Sequence, residues 1–292
     1  MNIDRNVRKA KHRATQMNTD YKRINDFLKE HRGFDFSGYC TPIVEERISQ
    51  RITTTECCNY SSYFRFLQNN PDELDLLIGV LTINVSQFFR DTLTFDYIFH
   101  QILPALLFHK KNAHKNLSLR VWSSGCSMGE EPFSIAIMIN ELLEKEASKY
   151  DVRIFATDID RHILKKAKKA VYSYESIEDI KYKLIEKYFT RNGKLFHLQK
   201  KIKEMVSFSV YDILSKNSFA PPESIFGAFD MVFCRNLLIY FNKEFQEMIF
   251  EKLYRSLAWN GYLILGQAEV PLAKYLHTLK KVSDCCYIYQ KF

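Results

Sequence analysis

Residues Arg120 to Ser134, RVWSSGCSMGEEPFS, constrain the fold of this chain more than any other stretch. An apolar run reads as a strand ending at Trp122. It gives way to small residues and a turn (Ser123, Ser124, Gly125, Cys126, Ser127, Met128, Gly129) and then to Glu130, Glu131 and Pro132. From there Phe133, Ala136, Ile137, Met138, Leu142 and Leu143 recur at helical spacing. Proline in the first turn and acids at the positive end of the dipole are what a helix start prefers. Strand, tight turn and helix together let a nucleotide-like ligand approach the backbone closely. Glu130 would repel a diphosphate and attract a cationic amine, so the turn points away from NAD or ATP and toward S-adenosylmethionine (SAM).

The surrounding pattern sorts into regions. Residues 1–20 are polar, basic and aperiodic, and read as a tail. From Tyr21 to about Phe108 the period is helical (Tyr21–His31, Thr41–Ile52, Ser61–Gln68, Asp72–Leu81, Thr94–His109), with breaks at Gly33, Gly38 and Asn69-Asn70-Pro71. This predicts an all-helical domain over 21–109 and a polar linker over 110–116. Strands and helices then alternate over 117–292: strands at Leu117–Ser123, Val152–Ala156, Val206–Tyr211, Phe229–Cys234 and Tyr262–Leu265, and a last, antiparallel one at Tyr287–Lys291. Such alternation predicts an α/β domain with a mainly parallel sheet covered on both faces. The interval about 171–204 is too long for a simple crossover. It contains Asn192-Gly193 between extended segments, a hairpin signal, and predicts a small inserted β-subdomain.

Composition narrows the class further. No apolar run approaches a membrane span, and the N-terminus lacks the apolar core of a signal peptide. The seven cysteines show no CxxC spacing, so buried thiols in a reduced cytoplasmic protein, with no metal site, are expected. The formal net charge of +8 is uneven. Residues 161–204 hold 13 Lys/Arg against 5 Asp/Glu, the first 13 residues add +4, and the remainder is about −4. Either the lysines form a solvated helix face or the basic regions meet an acidic partner surface. Nothing in the pattern demands nucleic acid.

Acids end three successive strands or the turns after them: Glu130, Asp158 and Asp212. Acids at strand ends can simply cap the following helix. In a SAM fold each has a task as well: Glu130 at the methionine ammonium, the second acid on the ribose hydroxyls, the third near the adenine amine. WSSGCSMGEEPFS, FATDID (Phe155–Asp160), FDMVFCRNLLIYF (Phe229–Phe241) and LTINVSQFFRD (Leu81–Asp91) resemble, in order and spacing, the CheR family of SAM-dependent methyltransferases. That family esterifies glutamates on chemotaxis receptors. The resemblance covers about residues 21–292 and implies a small N-terminal helical domain before a Rossmann-like methyltransferase domain.

It also implies roles. Asn84, Ser86 and Arg90 close over the reactive end of the cofactor, with Arg90 near the transferred methyl. Glu130 binds the ammonium, Asp158 the ribose, and Asp212 with Ile213 the adenine region. Gly125 belongs to the cofactor turn, Arg235 and Asn236 line the pocket, and Tyr240 faces the substrate carboxylate with Arg90. Docking on the acidic methylation region of the receptor coiled coil falls to the helix PIVEERISQRI, through Arg47 and Arg51. The insert turn TRNGKLFH is short, which resembles members that need no C-terminal peptide tether.

Three positions depart from the family pattern: Met128, Ser86 in place of Thr, and GQAEV (Gly266–Val270) where G-H-S-E is common. The last puts the local loop in question and supports an alternative reading, a SAM-binding adaptor or sensor in a signalling array. Methylation of another substrate, such as nucleic acid, is a further alternative, though CRNLLIYF is not the (D/N)PP(Y/F) box of adenine amino methylation.

Overall fold

A computed structural model of the chain describes residues 19–82, 86–112, 117–144, 149–215, 218–224 and 228–292. The chain divides between Ile83 and Asn84 into two compact units. Among its described residues the first holds four helices, α1 (19–32), α2 (Thr41–Thr54), α3 (Tyr60–Asn69) and α4 (Pro71–Leu81). Local chemistry fixes their starts. Asn59 and Ser62 form a reciprocal capping box on α3, and Pro71 opens α4 where a missing N–H costs nothing. Ile24, Leu28, Val44, Ile48, Leu67 and Leu77 are buried and form the core of this unit. Within it the Glu73 carboxylate accepts both Arg51 Nε (2.8 Å) and Nη2 (2.7 Å) and the Tyr63 hydroxyl (2.7 Å). Arg51 is therefore engaged in a half-buried bidentate pair. The expectation that Arg47 and Arg51 present a shared docking face is corrected at Arg51.

The second unit begins with α5 (Thr92–Tyr97), a π-helical turn (Ile98–Ile102) and α6 (Leu103–Asn112). Here the structure corrects the boundary expected at 109. Phe95, Ile98, Ile102, Leu103 and Leu106 bury into the same core as the sheet residues Val121, Ile154 and Phe233. The expected linker is in part the polar end of α6, whose Lys110 pairs with Asp230 at 2.7 Å, while 113–116 lie outside the described residues.

The sheet has the order β6-β2-β1-β7-β8-β10-β9. Its strands are β1 (Ser118–Ser124), β2 (Asp151–Asp158), β6 (Val206–Val210), β7 (Phe229–Cys234), β8 (Leu257–Leu265), β9 (Leu279–Lys281) and β10 (Ile288–Lys291). Five are parallel, and β10 runs antiparallel to both β8 and β9. The last four residues of β1 are all buried, as a strand covered on both faces requires. Chain order reverses between β1 and β7, which makes the C-terminal ends of these two strands the topological switch point where such sheets hold ligands.

Helices α7 (Glu130–Leu143), α8 (Arg161–Lys169) and α12 (Lys243–Ser256) pack on the sheet. The insert carries β3 (Val171–Tyr172), β4 (Phe189–Asn192) and β5 (Leu195–Leu198), an antiparallel sheet in the order β3-β5-β4, with short helices α9 (Tyr174–Ile177), α10 (Tyr182–Tyr188) and α11 (Lys200–Lys203). Asn192 pairs with Leu195, so Gly193-Lys194 forms the hairpin turn rather than Asn192-Gly193. No helix among the described residues is long and apolar enough to cross a membrane.

Candidate functional site

The site is built within the second unit, at the switch point. The turn after β1 is tied to the end of β2, because Gly125 and Cys126 N–H both donate to Thr157 O (2.8 and 2.9 Å). Gly125 sits at φ +72°, and a Cβ there would lie 3.2 Å from the Leu237 side chain, so strain and crowding both favour glycine. The Trp122 indole N–H donates to Thr157 Oγ1 at 2.9 Å and fixes the same corner. Met128 fits without disruption. Its side chain packs on the core, and its carbonyl accepts the Tyr172 hydroxyl at 2.9 Å.

Two buried acids face this turn. Asp158, at the end of β2, accepts Ser127 N–H through Oδ2 (2.9 Å) and Asp160 N–H through Oδ1 (3.0 Å). Burial nevertheless pushes its carboxyl up to about 6. Glu130 is the first residue of α7 and only 3% exposed. Burial pushes its carboxyl up to about 7 against the lowering effect of its own backbone N–H and the Ser86 side chain. Glu130 Oε2 is buried with no hydrogen-bond partner among the described residues, as are Ser127 Oγ and Asn236 Oδ1. An unpartnered buried carboxylate oxygen costs on the order of 1–3 kcal/mol or more. A cationic amine with several N–H donors is the group that would satisfy such acceptors, so the residues present fit the methionine end of SAM.

Arg90 lies in a turn whose neighbours Phe89 (φ 51°) and Asp91 (φ 58°) both adopt the left-handed conformation. Such strain persists only where the surroundings over-determine it. Here Phe89 N–H donates to Ser134 Oγ (2.9 Å), and Arg235 Nη2 donates to Arg90 O (2.7 Å) and Asp91 Oδ2 (2.5 Å). Arg235 Nη1 reaches Glu131 Oε2 at 3.2 Å, and Glu131 Oε1 accepts Ser123 Oγ at 2.7 Å. The Arg235 side chain is only 2% exposed. Expected to line the pocket, Arg235 has its guanidinium engaged in clamping the Arg90 turn onto the sheet.

The GQAEV loop is held by Glu269. Its buried carboxylate accepts four backbone N–H groups: Gly266 (2.7 Å), Asn236 (3.0 Å), Leu237 (2.8 Å) and Leu238 (2.7 Å). A Cβ on Gly266 would come within 2.8 Å of Glu269 Oε2, which explains the glycine. Gln267 Nε2 donates to Asp91 Oδ1 at 3.1 Å and adds a second tie to the Arg90 turn. Asn236 (φ 57°) and the 3₁₀ turn Leu238–Tyr240 are thus fixed by one acid, and half-buried Tyr240 follows from them. Glu269→Gln turns one acceptor oxygen into a donor facing N–H groups. We expect a stability loss on the order of 3 kcal/mol, and methyl transfer reduced roughly 100-fold with SAM affinity changed far less, measured by thermal melts, steady-state kinetics and calorimetry.

Asp212 follows β6, its Oδ1 accepting Leu214 N–H at 2.8 Å, with Ile213 buried beside it. Lys252 of α12, 3% exposed, donates to Ser215 O and so supports this loop from below, its ammonium pushed down to about 8 by burial. Asn84 lies outside the described residues. The sequence reading missed Glu131, Asp91, Gln267, Glu269 and Lys252. Only Glu269 carried a signal, as the acid that GQAEV retains from the G-H-S-E pattern. No group of three or more His, Cys, Asp or Glu among the described residues could hold a metal ion.

Two family descriptions match the chain. "CheR methyltransferase, SAM binding domain" covers residues 84–284, and "CheR methyltransferase, all-alpha domain" covers 19–82. The chain is 33% identical over 254 residues to chemotaxis protein methyltransferase 2 of Vibrio cholerae, covering 86% of this chain and 85% of that protein. It is 30% identical over 253 residues to the chemotaxis protein methyltransferase of Borreliella burgdorferi (86% and 87%). The match to that of Listeria monocytogenes is 30% over 269 residues (92% and 97%).

Proposed function

This chain belongs to the CheR family of SAM-dependent methyltransferases, and on that premise we propose that it methylates glutamate side chains on the cytoplasmic coiled coil of chemotaxis receptors, forming carboxyl methyl esters. The observation that carries the reading is Glu130 Oε2, a buried acceptor left open beside a pinned arginine turn. Bound SAM supplies an electrophilic methyl on a sulfonium. A glutamate acceptor is already ionised at neutral pH. Its oxygen forms the new C–O bond as the C–S bond breaks and the electron pair passes to sulfur, so no general base is needed. In this scheme Glu130 holds the ammonium, Asp158 the ribose, and Asp212 with Ile213 the adenine end. Arg90 and Tyr240 orient the acceptor carboxylate by hydrogen bonds, and Arg235 sets the position of Arg90. In-line positioning of this kind contributes ~7–11 kcal/mol in favourable cases.

The adaptor reading rested on the altered GQAEV loop, and the four N–H bonds to Glu269 remove that ground. The short Gly193-Lys194 hairpin supports action without a peptide tether. The test is methyl transfer from radiolabelled SAM to membranes bearing the receptors. Base-labile receptor label is expected, and Arg90→Ala is expected to lower the rate at least ~100-fold with SAM still bound. Tight SAM binding by calorimetry with no label on any receptor would reject the assignment.

A further inference from the structure

Helix α8 exposes Arg161, Lys165, Lys166, Lys168 and Lys169, while Ile163, Leu164 and Ala167 are buried against the sheet. The helix contains no acid, and among the described residues none of these five cations meets a carboxylate within ion-pair distance. The face continues into the insert. Leu198 N–H donates to Ala170 O at 3.0 Å, which sets the end of β5 against the end of α8 and brings exposed Lys200 and Lys201 of α11 into the same region. Residues 161–204 carry a net +8, equal to the formal charge of the whole chain, so the rest of the molecule is neutral in sum. Eight of the 13 cations lie on α8 and α11, beside the acid Glu204, which pairs with Lys200 at 3.5 Å, and such a local excess of positive charge steers anionic partners.

The chemistry of the face selects among such partners. Lysine heads are hydrated point charges on flexible stems, suited to a diffuse acidic surface and less to bidentate phosphate recognition. Every apolar side chain of α8 points inward, leaving nothing to insert into a bilayer. The helix carries no Phe, Tyr or Trp on which a base could stack, its one ring being the His162 imidazole in the first turn. Its position also fits. Asp160 caps α8 only two residues after Asp158, so the basic face starts at the edge of the sheet that carries the cofactor acids and runs away from it. An elongated partner rich in carboxylates could lie along α8 and still present one of them at that edge.

We propose that the α8–α11 face docks the acidic stretch of the receptor that carries the acceptor glutamates. The proposal rests on the function assigned above and adds a surface to it. The test compares the wild type with the triple charge reversal Lys165→Glu, Lys166→Glu, Lys169→Glu and with the corresponding triple Gln variant. Receptor labelling and SAM binding are measured at low and high salt. For the reversal, kcat/KM for receptor is expected to fall at least ~10-fold at low salt, with kcat and SAM affinity unchanged, and the gap should close at high salt. The Gln variant is expected to fall between, which separates a charge effect from damage to the helix. Equal labelling by all three proteins at both salts would overturn the surface while leaving the methyltransferase reading standing. Receptor labelling that is unaffected while binding to anionic vesicles or single-stranded RNA is lost would overturn it in favour of those partners. Absence of label with the wild type would reject the assigned function, and the surface with it.

Discussion

Replacement of Glu130 by Gln is expected to weaken SAM binding by about 2–5 kcal/mol, roughly 30-fold to several-thousand-fold, when measured by calorimetry near pH 8. The amide removes the charge that, in the proposed reading, faces the ammonium, and leaves the shape of the site intact. The pH dependence of the wild type should show the same group. Burial raises the Glu130 carboxyl to about 7, so the ligand-free site is largely protonated below that pH. SAM affinity should therefore rise with pH through about 7 and release a proton on binding there. Below about 6 the fall should steepen as buried Asp158 also protonates. The sign for stability is opposite. A carboxyl that binds its proton more tightly in the folded chain favours folding at low pH, and this advantage is lost as pH rises from its ordinary 4.5 to about 7. Glu130 should account for on the order of 3 kcal/mol of the stability that the ligand-free wild type loses over that window; Glu130→Gln should lack this share while keeping the loss that comes from Asp158. A variant with wild-type SAM affinity at pH 8 would remove Glu130 from the cofactor site.

Arg235→Ala should cost more than any other single change in stability. The guanidinium is almost wholly buried among Glu131, Asp91 and the Arg90 carbonyl. Burial raises the Glu131 carboxyl, and the nearby Arg235 charge is the leading influence holding it down. Removing one partner of such a cluster leaves uncompensated buried charge at about 3–5 kcal/mol, and a domain of this size loses roughly 2–4 °C of Tm per kcal/mol. Loss of turnover should be nearly complete, because the left-handed residues flanking Arg90 lose the contact that holds them. Arg235→Lys is not expected to rescue, since one ammonium cannot reproduce the planar fork that reaches three acceptors. The double change Arg235→Met, Glu131→Leu separates the two effects: stability should return in part while methyl transfer does not. Turnover restored in that double variant would show that the clamp is dispensable.

Much of this was legible in the chain itself. The strand, small-residue turn and acidic helix start at Arg120–Ser134 follow from local rules of spacing, capping and glycine strain, and the structure has α7 begin at Glu130 as those rules require. Strands of the parallel sheet read clearly because burial on both faces makes them short apolar runs. The domain boundary did not, because α5 and α6 have the same helical period whichever core they join. Their apolar stripe became part of the sheet core only once folding supplied the opposite face. Arg51 and Arg235 show the same limit. A charged residue in a helix or after a strand looks equally suited to a partner or to a buried acid, and Glu73 and Glu131 lie 22 and 104 residues away from them.

The sequence alone therefore determined the order of elements, the small-residue turn after β1 and the three strand-end acids, since each depends on interactions within a few residues. Tertiary structure decided which charges are available and which are fastened. Glu130 is left open, Arg235 clamps the Arg90 turn, and Glu269 gathers four N–H groups from two loops about 30 residues apart in the chain. Such pairings are fixed by where the packed sheet brings its loops together, and a buried charge must find its partner there because water is excluded.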